Sequence, residues 1–364
     1  VLFPEGSNSI MARGNETLTW EKSRTFNVGV DLAMFGNKLS GSVEFYNKFS
    51  YDVLSNATVS SAIFGTDATT FNNAEVLNRG VEFSLSSDLP VAGDLRWQGV
   101  LNYAYNYNEV TKFSVQADLT PSSPGYMEGY PTDAIIALKP VGYTPEGYVQ
   151  LQGKDGTLEI VETATASHAN DLVSRDLDEN NWFYYLGQRT PKSNLSFSNY
   201  FTWRGLTLSF MITGRFGYYV NRGDQFSTNT NEAHFSKQLD KSFAVYDEGY
   251  VNQDGYSAYP LYNDENNVVL YNIMGDMYFS ASLFSTNYIK GDHIRLNEVY
   301  LGYDLPQGLL EKQGVFSRIN VYAQASNLGL IWSKNGEMDP DYPVGNIKPM
   351  PTFTFGLKLG FKNW

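Results

Sequence analysis

The 364-residue sequence contains no cysteine. That excludes a disulfide scaffold, a thiolate metal centre and a cysteine nucleophile. Basic residues are few: 26 Lys and Arg stand against 39 Asp and Glu, a formal net charge of −13. A nucleic-acid binder needs a basic stripe to displace counterions from phosphates, so nucleic acid is excluded as a partner. Charged residues of both signs reach only 18%, below the ordinary quarter. No run of about 18 apolar residues occurs, so no membrane-spanning helix is encoded. Histidine is limited to His168, His234 and His293. No H-E-x-x-H, G-x-S-x-G, P-loop or dinucleotide fingerprint accompanies them, and the chain reads as no enzyme, with no catalytic or cofactor-binding residue. Val1 to Gly6 lacks a basic n-region and an apolar h-region. The chain therefore reads as mature, intracellular or lacking its natural start.

Aromatic residues are abundant: 26 Tyr, 23 Phe and 6 Trp make 15% of the chain. They fall into runs with period two, the spacing at which side chains of an extended strand share a face. In the last run Phe353, Phe355, Leu357, Leu359 and Phe361 alternate with Thr, Gly and Lys. The same pattern recurs in Phe26 to Met34, Leu39 to Tyr51, Val81 to Leu85 and Leu95 to Tyr107. It continues in Leu195 to Trp203, Leu206 to Ile212, Val299 to Leu305 and Ile319 to Ala325, giving nine candidate strands. Most are about 10 residues long, the length that crosses a bilayer when tilted, whereas sandwich strands run about 5–6.

The connections alternate in length. Phe35 to Lys38, Pro90 to Asp94, Arg204-Gly205 and Pro306 to Val315 are short; 52–77, 110–190, 222–292 and 331–350 are long. Outer-membrane barrels have short periplasmic turns and long extracellular loops. On that rule the last strand ends in the periplasm at Trp364, and Phe49, Tyr51, Tyr103, Tyr105, Tyr107 and Trp203 fall at the bilayer interfaces. Nine antiparallel strands cannot close a barrel with both termini in the periplasm, so an odd number of strands is expected upstream. A soluble sandwich or jelly roll is the competing reading. Strand length, aromatic density and the long loops oppose it.

Several segments, in order from residue 15 to the end, resemble the C-terminal region of SusC/RagA-like TonB-dependent transporters of the Bacteroidota outer membrane. They are Asn15 to Lys22 leading into Thr25-Phe26-Asn27-Val28-Gly29-Val30-Asp31, then Leu39 to Lys48, then Asn78-Arg79-Gly80-Val81-Glu82. Glu128-Gly129-Tyr130-Pro131, Pro145-Glu146-Gly147, Thr190-Pro191-Lys192, His293 to Pro306 and Ala325-Ser326-Asn327-Leu328 complete the series. The resemblance implies a transmembrane antiparallel β-barrel of about 22 strands, of which residues 1–364 form the C-terminal part of a single barrel domain. It implies an N-terminal plug and TonB box outside this sequence, a SusD-like surface lipoprotein, and energy from TonB–ExbB–ExbD. The expected activity is active import of a glycan oligosaccharide or a peptide. A passive porin or an adhesion or assembly barrel is the alternative.

Candidate ligand contacts are loop aromatics, whose planes suit the apolar faces of sugar rings: Trp182, Tyr184, Tyr185, Tyr256, Tyr259 and Trp332. Packing of loops on each other explains the same residues. The lumen face is expected to carry Asn27, Asp31, Glu44, Glu82, Asn102, Asn106, Arg215, Arg295, Asn320 and Gln324, and the lipid face of the last strand Phe353, Phe355, Leu357, Leu359 and Phe361. Calcium suits the oxygen-rich loops better than any transition metal, at Asp171, Asp176, Asp178, Glu179, Asp254, Asp264, Glu265, Asp339 and Asp341. None has EF-hand spacing, and solvated acidic loops are the expectation.

Overall fold

The computed structural model describes residues 17–58, 68–113, 126–143, 149–161, 182–221, 285, 288–312, 314–336, 338–342 and 347–362. Its strands are β1 (Lys22–Met34), β2 (Leu39–Thr58), β3 (Ala68–Ala92), β4 (Leu95–Phe113), β5 (Ala134–Leu138), β6 (Pro140–Tyr143), β7 (Val149–Gln152) and β8 (Leu158–Val161). They continue with β9 (Phe183–Gln188), β10 (Ser193–Trp203), β11 (Leu206–Phe216), β12 (Tyr219–Asn221), β13 (Tyr288–Lys290), β14 (His293–Asp304), β15 (Phe316–Ser333) and β16 (Thr352–Phe361). One nine-stranded sheet, ordered β1-β2-β3-β4-β10-β11-β14-β15-β16, holds all the long strands. Every neighbouring pair in it is antiparallel. The other strands form small ribbons, β5-β9, β6-β7-β8 and β12-β13, in the long connections.

Register carries the apolar runs into one continuous face. Val30 lies opposite Val43, Val43 opposite Phe83, Phe83 opposite Tyr103 and Tyr103 opposite Leu195. Across the second half, Phe201 faces Leu208, Leu208 faces Leu301, Leu301 faces Ala323 and Ala323 faces Phe355. Among the described residues no second layer covers this face: Phe26, Val28, Val30, Leu32, Leu301, Val321, Phe353, Phe355, Leu357, Leu359 and Phe361 are all exposed. The buried apolar residues among those described include Ala134 to Leu138, Leu151 and Phe183 in the ribbons, Ala74, Val76 and Val110 near the long-loop ends of β3 and β4, and Leu310 in the turn after β14. A soluble sheet buries its apolar face, so an apolar surface of this extent marks contact with something other than water.

The opposite face is polar and packed side chain on side chain. Tyr46 donates its hydroxyl hydrogen to Asn106 at 2.8 Å, passing over Gly80, where a Cβ would collide with the Tyr46 ring and the Tyr105 carbonyl. That close approach accounts for the glycine in Asn78-Arg79-Gly80-Val81-Glu82. Tyr300 and Tyr322 stack at 5.5 Å, with the Lys358 ammonium 4.8 Å from the Tyr322 ring centre. Short turns use left-handed backbone: Arg204 and Gly205 have φ of 47° and 85°, as a two-residue hairpin of primed type requires. Pro306 to Val315 contains a short helix, α1 (Gln307–Glu311), with Leu310 buried.

Strand ends differ from the expected ones, and bulges explain why. β2 and β3 run on to Thr58 and from Ala68, so the expected loop 52–77 is mostly paired strand. Asp52 has a φ of 56° and the register shifts between Ser50 and Val53, which breaks the alternation while pairing continues. β3 extends far on both sides of Val81 to Leu85, making it the longest strand at 25 residues. β14 starts at His293, where the connection 222–292 was expected to end, and a bulge between Leu296 and Glu298 inverts the pattern that the run from Val299 shows. β15 likewise continues to Ser333 past Asn327 (φ 56°) and Gly329 (φ 104°).

Candidate functional site

On the polar face, at the end of the sheet away from the short turns, the segment after β15 folds back against β11 and β14. The bulge in β14 leaves Arg295, Asn297 and Glu298 serving one face: Thr213 donates to Asn297 at 3.2 Å and Gln324 to Glu298 at 2.8 Å. Arg295 is the centre. Its Nε donates to Asp341 at 3.0 Å, its terminal nitrogen pairs with Asp339, and its guanidinium lies 5.4 Å from the Tyr342 ring centre. Arg215 donates to Asp341 at 2.8 Å, and Lys348 Nζ lies 3.0 Å from Asp339. His293, 1% exposed, places Nε2 3.3 Å from Asp341 and Nδ1 2.8 Å from the Gly291 carbonyl oxygen. The Tyr342 amide donates to the Asp339 carbonyl at 3.0 Å, closing the turn that aims both carboxylates inward.

A hydrogen bond from His293, backed by the charges of Arg215 and Arg295, holds the Asp341 carboxyl at about 2 against the pull of burial. Burial raises Asp339, but hydrogen bonds from Arg295 and Lys348 outweigh it and leave that carboxyl lowered. A depressed carboxylate stabilises the fold above its ordinary value of about 3.8 and loses that effect as pH falls towards 2. Asp341→Asn is therefore expected to cost about 2 kcal/mol above pH 4. Thermal unfolding of variant and parent should converge near pH 2. A deficit that persists at pH 2 would contradict the assignment.

This cluster borders a cavity of about 430 Å3 lined by Asn194, Thr213, Arg215, Arg295, Asn297 and Lys348, among others. The described ones among the expected loop aromatics, Trp182, Tyr184, Tyr185 and Trp332, lie elsewhere. Tyr184 donates its hydroxyl hydrogen to the Gln152 carbonyl at 3.2 Å, with Lys139 5.8 Å from its ring. The ring of Tyr185 sits 5.0 Å from that of Tyr130, and Trp182 is half-buried just before β9. Trp332 pairs with Ile294 on the apolar face, 6.5 Å from Phe216. Tyr256 and Tyr259, and the acidic positions from Asp171 to Glu265, lie outside the described residues. Asp339 and Asp341, expected as solvated loop acids or calcium ligands, are bound to cationic side chains of the sheet and its own loop. The polar-face position of Arg215 was legible from alternation, and that of Arg295, expected on the same face, is produced by the bulge. Their carboxylate partners were not legible, because Asp339-Pro340-Asp341 looks like any acidic turn.

Residues 2–273 match the family described as TonB dependent receptor-like, beta-barrel. The chain belongs to this family. It is similar to the TonB-dependent receptor SusC of Bacteroides thetaiotaomicron, 25% identical over 366 residues that cover 95% of this chain and 32% of SusC. TonB-dependent receptor P39 of Formosa agariphila is 24% identical over 360 residues, covering 89% of this chain and 33% of P39. In fold it is similar to the RagAB peptide importer in its closed-closed state, with a TM-score of 0.66 and 21% identity over 95% of this chain and 36% of that one. The chain spans about a third of the length of the curated relatives it matches. The expected SusC/RagA-like resemblance and the all-β outer-membrane barrel class are thereby borne out. TonB-dependent receptor barrels are receptors and transporters, not enzymes.

Proposed function

We propose that this chain is the C-terminal part of the barrel domain of a TonB-dependent importer that carries a nutrient oligomer, a glycan oligosaccharide or a peptide, across the outer membrane. The observation that carries the reading is the family match over residues 2–273. Similarity to SusC and to the barrel of a peptide importer supports it. In this reading a plug and earlier strands belong to the same barrel, a SusD-like lipoprotein covers the long-loop side, and TonB–ExbB–ExbD supplies the force. The C-terminus faces the periplasm, and Phe353, Phe355, Leu357, Leu359 and Phe361 face lipid.

Uptake of labelled oligomers by cells expressing the full-length protein tests the activity. Uptake is expected to stop when TonB is deleted or the proton gradient is collapsed. Equal uptake without TonB would mean a passive pore. The lipid face has its own test, since a charge near the bilayer midplane of a barrel costs about 2–4 kcal/mol. Leu357→Arg and Val30→Arg should each lower folding stability by that amount, while Thr354→Arg on the polar face should cost far less. Equal costs on both faces would remove the membrane assignment.

A further inference from the structure

The cavity beside Arg295 is rich in hydrogen-bond donors. Arg295 is spent on structure: it is 11% exposed and both carboxylates of the turn occupy it. Arg215 and Lys348 are not spent. Their side chains are 52% and 48% exposed, and each makes one described ion pair, while a guanidinium carries five N–H donors and an ammonium three. Asn297 accepts from Thr213 through Oδ1, which leaves its amide hydrogens for another partner. Asn194 and Asn327 line the same space. The charged residues among those described that line the cavity are Arg215, Arg295, Lys348 and Asp341, three cations to one carboxylate, in a chain of net charge −13.

Position and shape narrow what such a site takes. Arg215 is the penultimate residue of β11, at the end opposite the Arg204-Gly205 turn, so the site opens towards the long connections. Its volume of about 430 Å3 falls in the range of small-molecule sites, room for a short stretch of an oligomer. Among the described lining residues Pro349 is the one aliphatic side chain on the polar face, since Leu195 belongs to the apolar face, and Tyr342 is covered by the Arg295 guanidinium. A peptide binds through apolar side-chain pockets as well as its backbone, and the lining offers little for them. Amides and a hydroxyl suit sugar hydroxyls and ring oxygens, and a guanidinium suits a carboxylate.

We infer that this cavity is a binding site for the carboxylate of an acidic oligosaccharide, a chain containing uronic-acid units, with Arg215 and Lys348 as its anion contacts and Asn194 and Asn297 as its hydroxyl contacts. The inference rests on the import reading for its biological meaning, and binding tests it separately. The full-length receptor in detergent is titrated by calorimetry with an oligogalacturonate, its carboxyl-reduced neutral counterpart and an acidic peptide of equal length and charge. The oligogalacturonate is expected to bind about 10-fold or more tightly than the reduced form. Lys348→Gln and Asn194→Ala should each weaken it several-fold, and Asn194→Ala, at an exposed position, should leave the melting temperature unchanged. Arg215→Gln should weaken it about 10-fold. Equal binding of the reduced form, tighter binding of the acidic peptide, or full affinity in all three variants would overturn the assignment. Uptake that proceeds without TonB while the carboxylate preference persists removes the import reading and keeps the site. TonB-dependent uptake with no carboxylate preference does the reverse.

Discussion

Arg295→Leu is expected to destabilise the protein by about 3–5 kcal/mol, the cost of removing one partner from a buried ion-pair cluster. Asp339 and Asp341 have side chains only 8% and 18% exposed, and among the described residues Arg295 is the one cation that reaches both. Leucine removes the donors the two carboxylates share, leaving Asp341 to Arg215 and His293 and Asp339 to the half-exposed Lys348. The turn that they anchor then detaches from β11 and β14. Arg318→Leu is the control. Arg318 also grips a carboxylate through two nitrogens, at 2.7 and 2.8 Å from Asp304, but its side chain is 64% exposed. An exposed pair is worth about 0–1 kcal/mol. Thermal unfolding of both variants in the same detergent compares them directly. Equal shifts would mean that burial does not distinguish the two arginines, and that the Arg295 cluster is not the anchor of its loop.

Deleting Thr352 to Phe361 is expected to abolish assembly altogether. β16 pairs with β15 from Phe316 to Ser326, and its removal leaves that edge of β15 unpaired along the membrane-spanning length, while the other edge stays on β14. In hydrocarbon no water replaces the lost hydrogen bonds, and each unsatisfied backbone group costs several kcal/mol. Immunoblots of outer-membrane fractions should show the truncated protein missing. Normal surface levels would contradict the barrel account. A soluble sheet, by contrast, would lose an edge strand with a modest drop in stability, because water covers the new edge.

The nine membrane strands were readable because a strand between lipid and a polar interior must alternate. Phe353 to Phe361 and Phe26 to Met34 announce themselves for that reason. Alternation fails where the constraint ends. Beyond Ser50 the β2-β3 hairpin rises past the apolar belt, so Asp52, with its left-handed φ of 56°, and the extension to Thr58 carry no periodic signal. Inside the belt the β14 bulge at Leu296 to Glu298 inverts the pattern, so apolar alternation shows only from Val299 although the strand opens at His293 as expected. The site was half legible. Alternation put Arg215 on the polar face, while Arg295, in phase with Val299 and Leu301, reaches it through the bulge. Ion pairs 126 and 44 residues apart, Arg215 with Asp341 and Arg295 with Asp339, have no local pattern. The aromatics chosen as ligand contacts illustrate the converse: Tyr184 and Tyr185 are held by Gln152, Lys139 and Tyr130 within the ribbons, contacts that a loop composition cannot announce.

The central claim is that this sheet closes with upstream strands around a plug into one importer. Denaturing mass analysis with peptide mapping of the protein purified from outer membranes tests it most directly. The account predicts one polypeptide about three times the length of this chain, in proportion to its relatives, with peptides from a plug and early strands preceding Val1. A species of 40.9 kDa with no plug peptides in it or in any co-purifying chain would contradict active import.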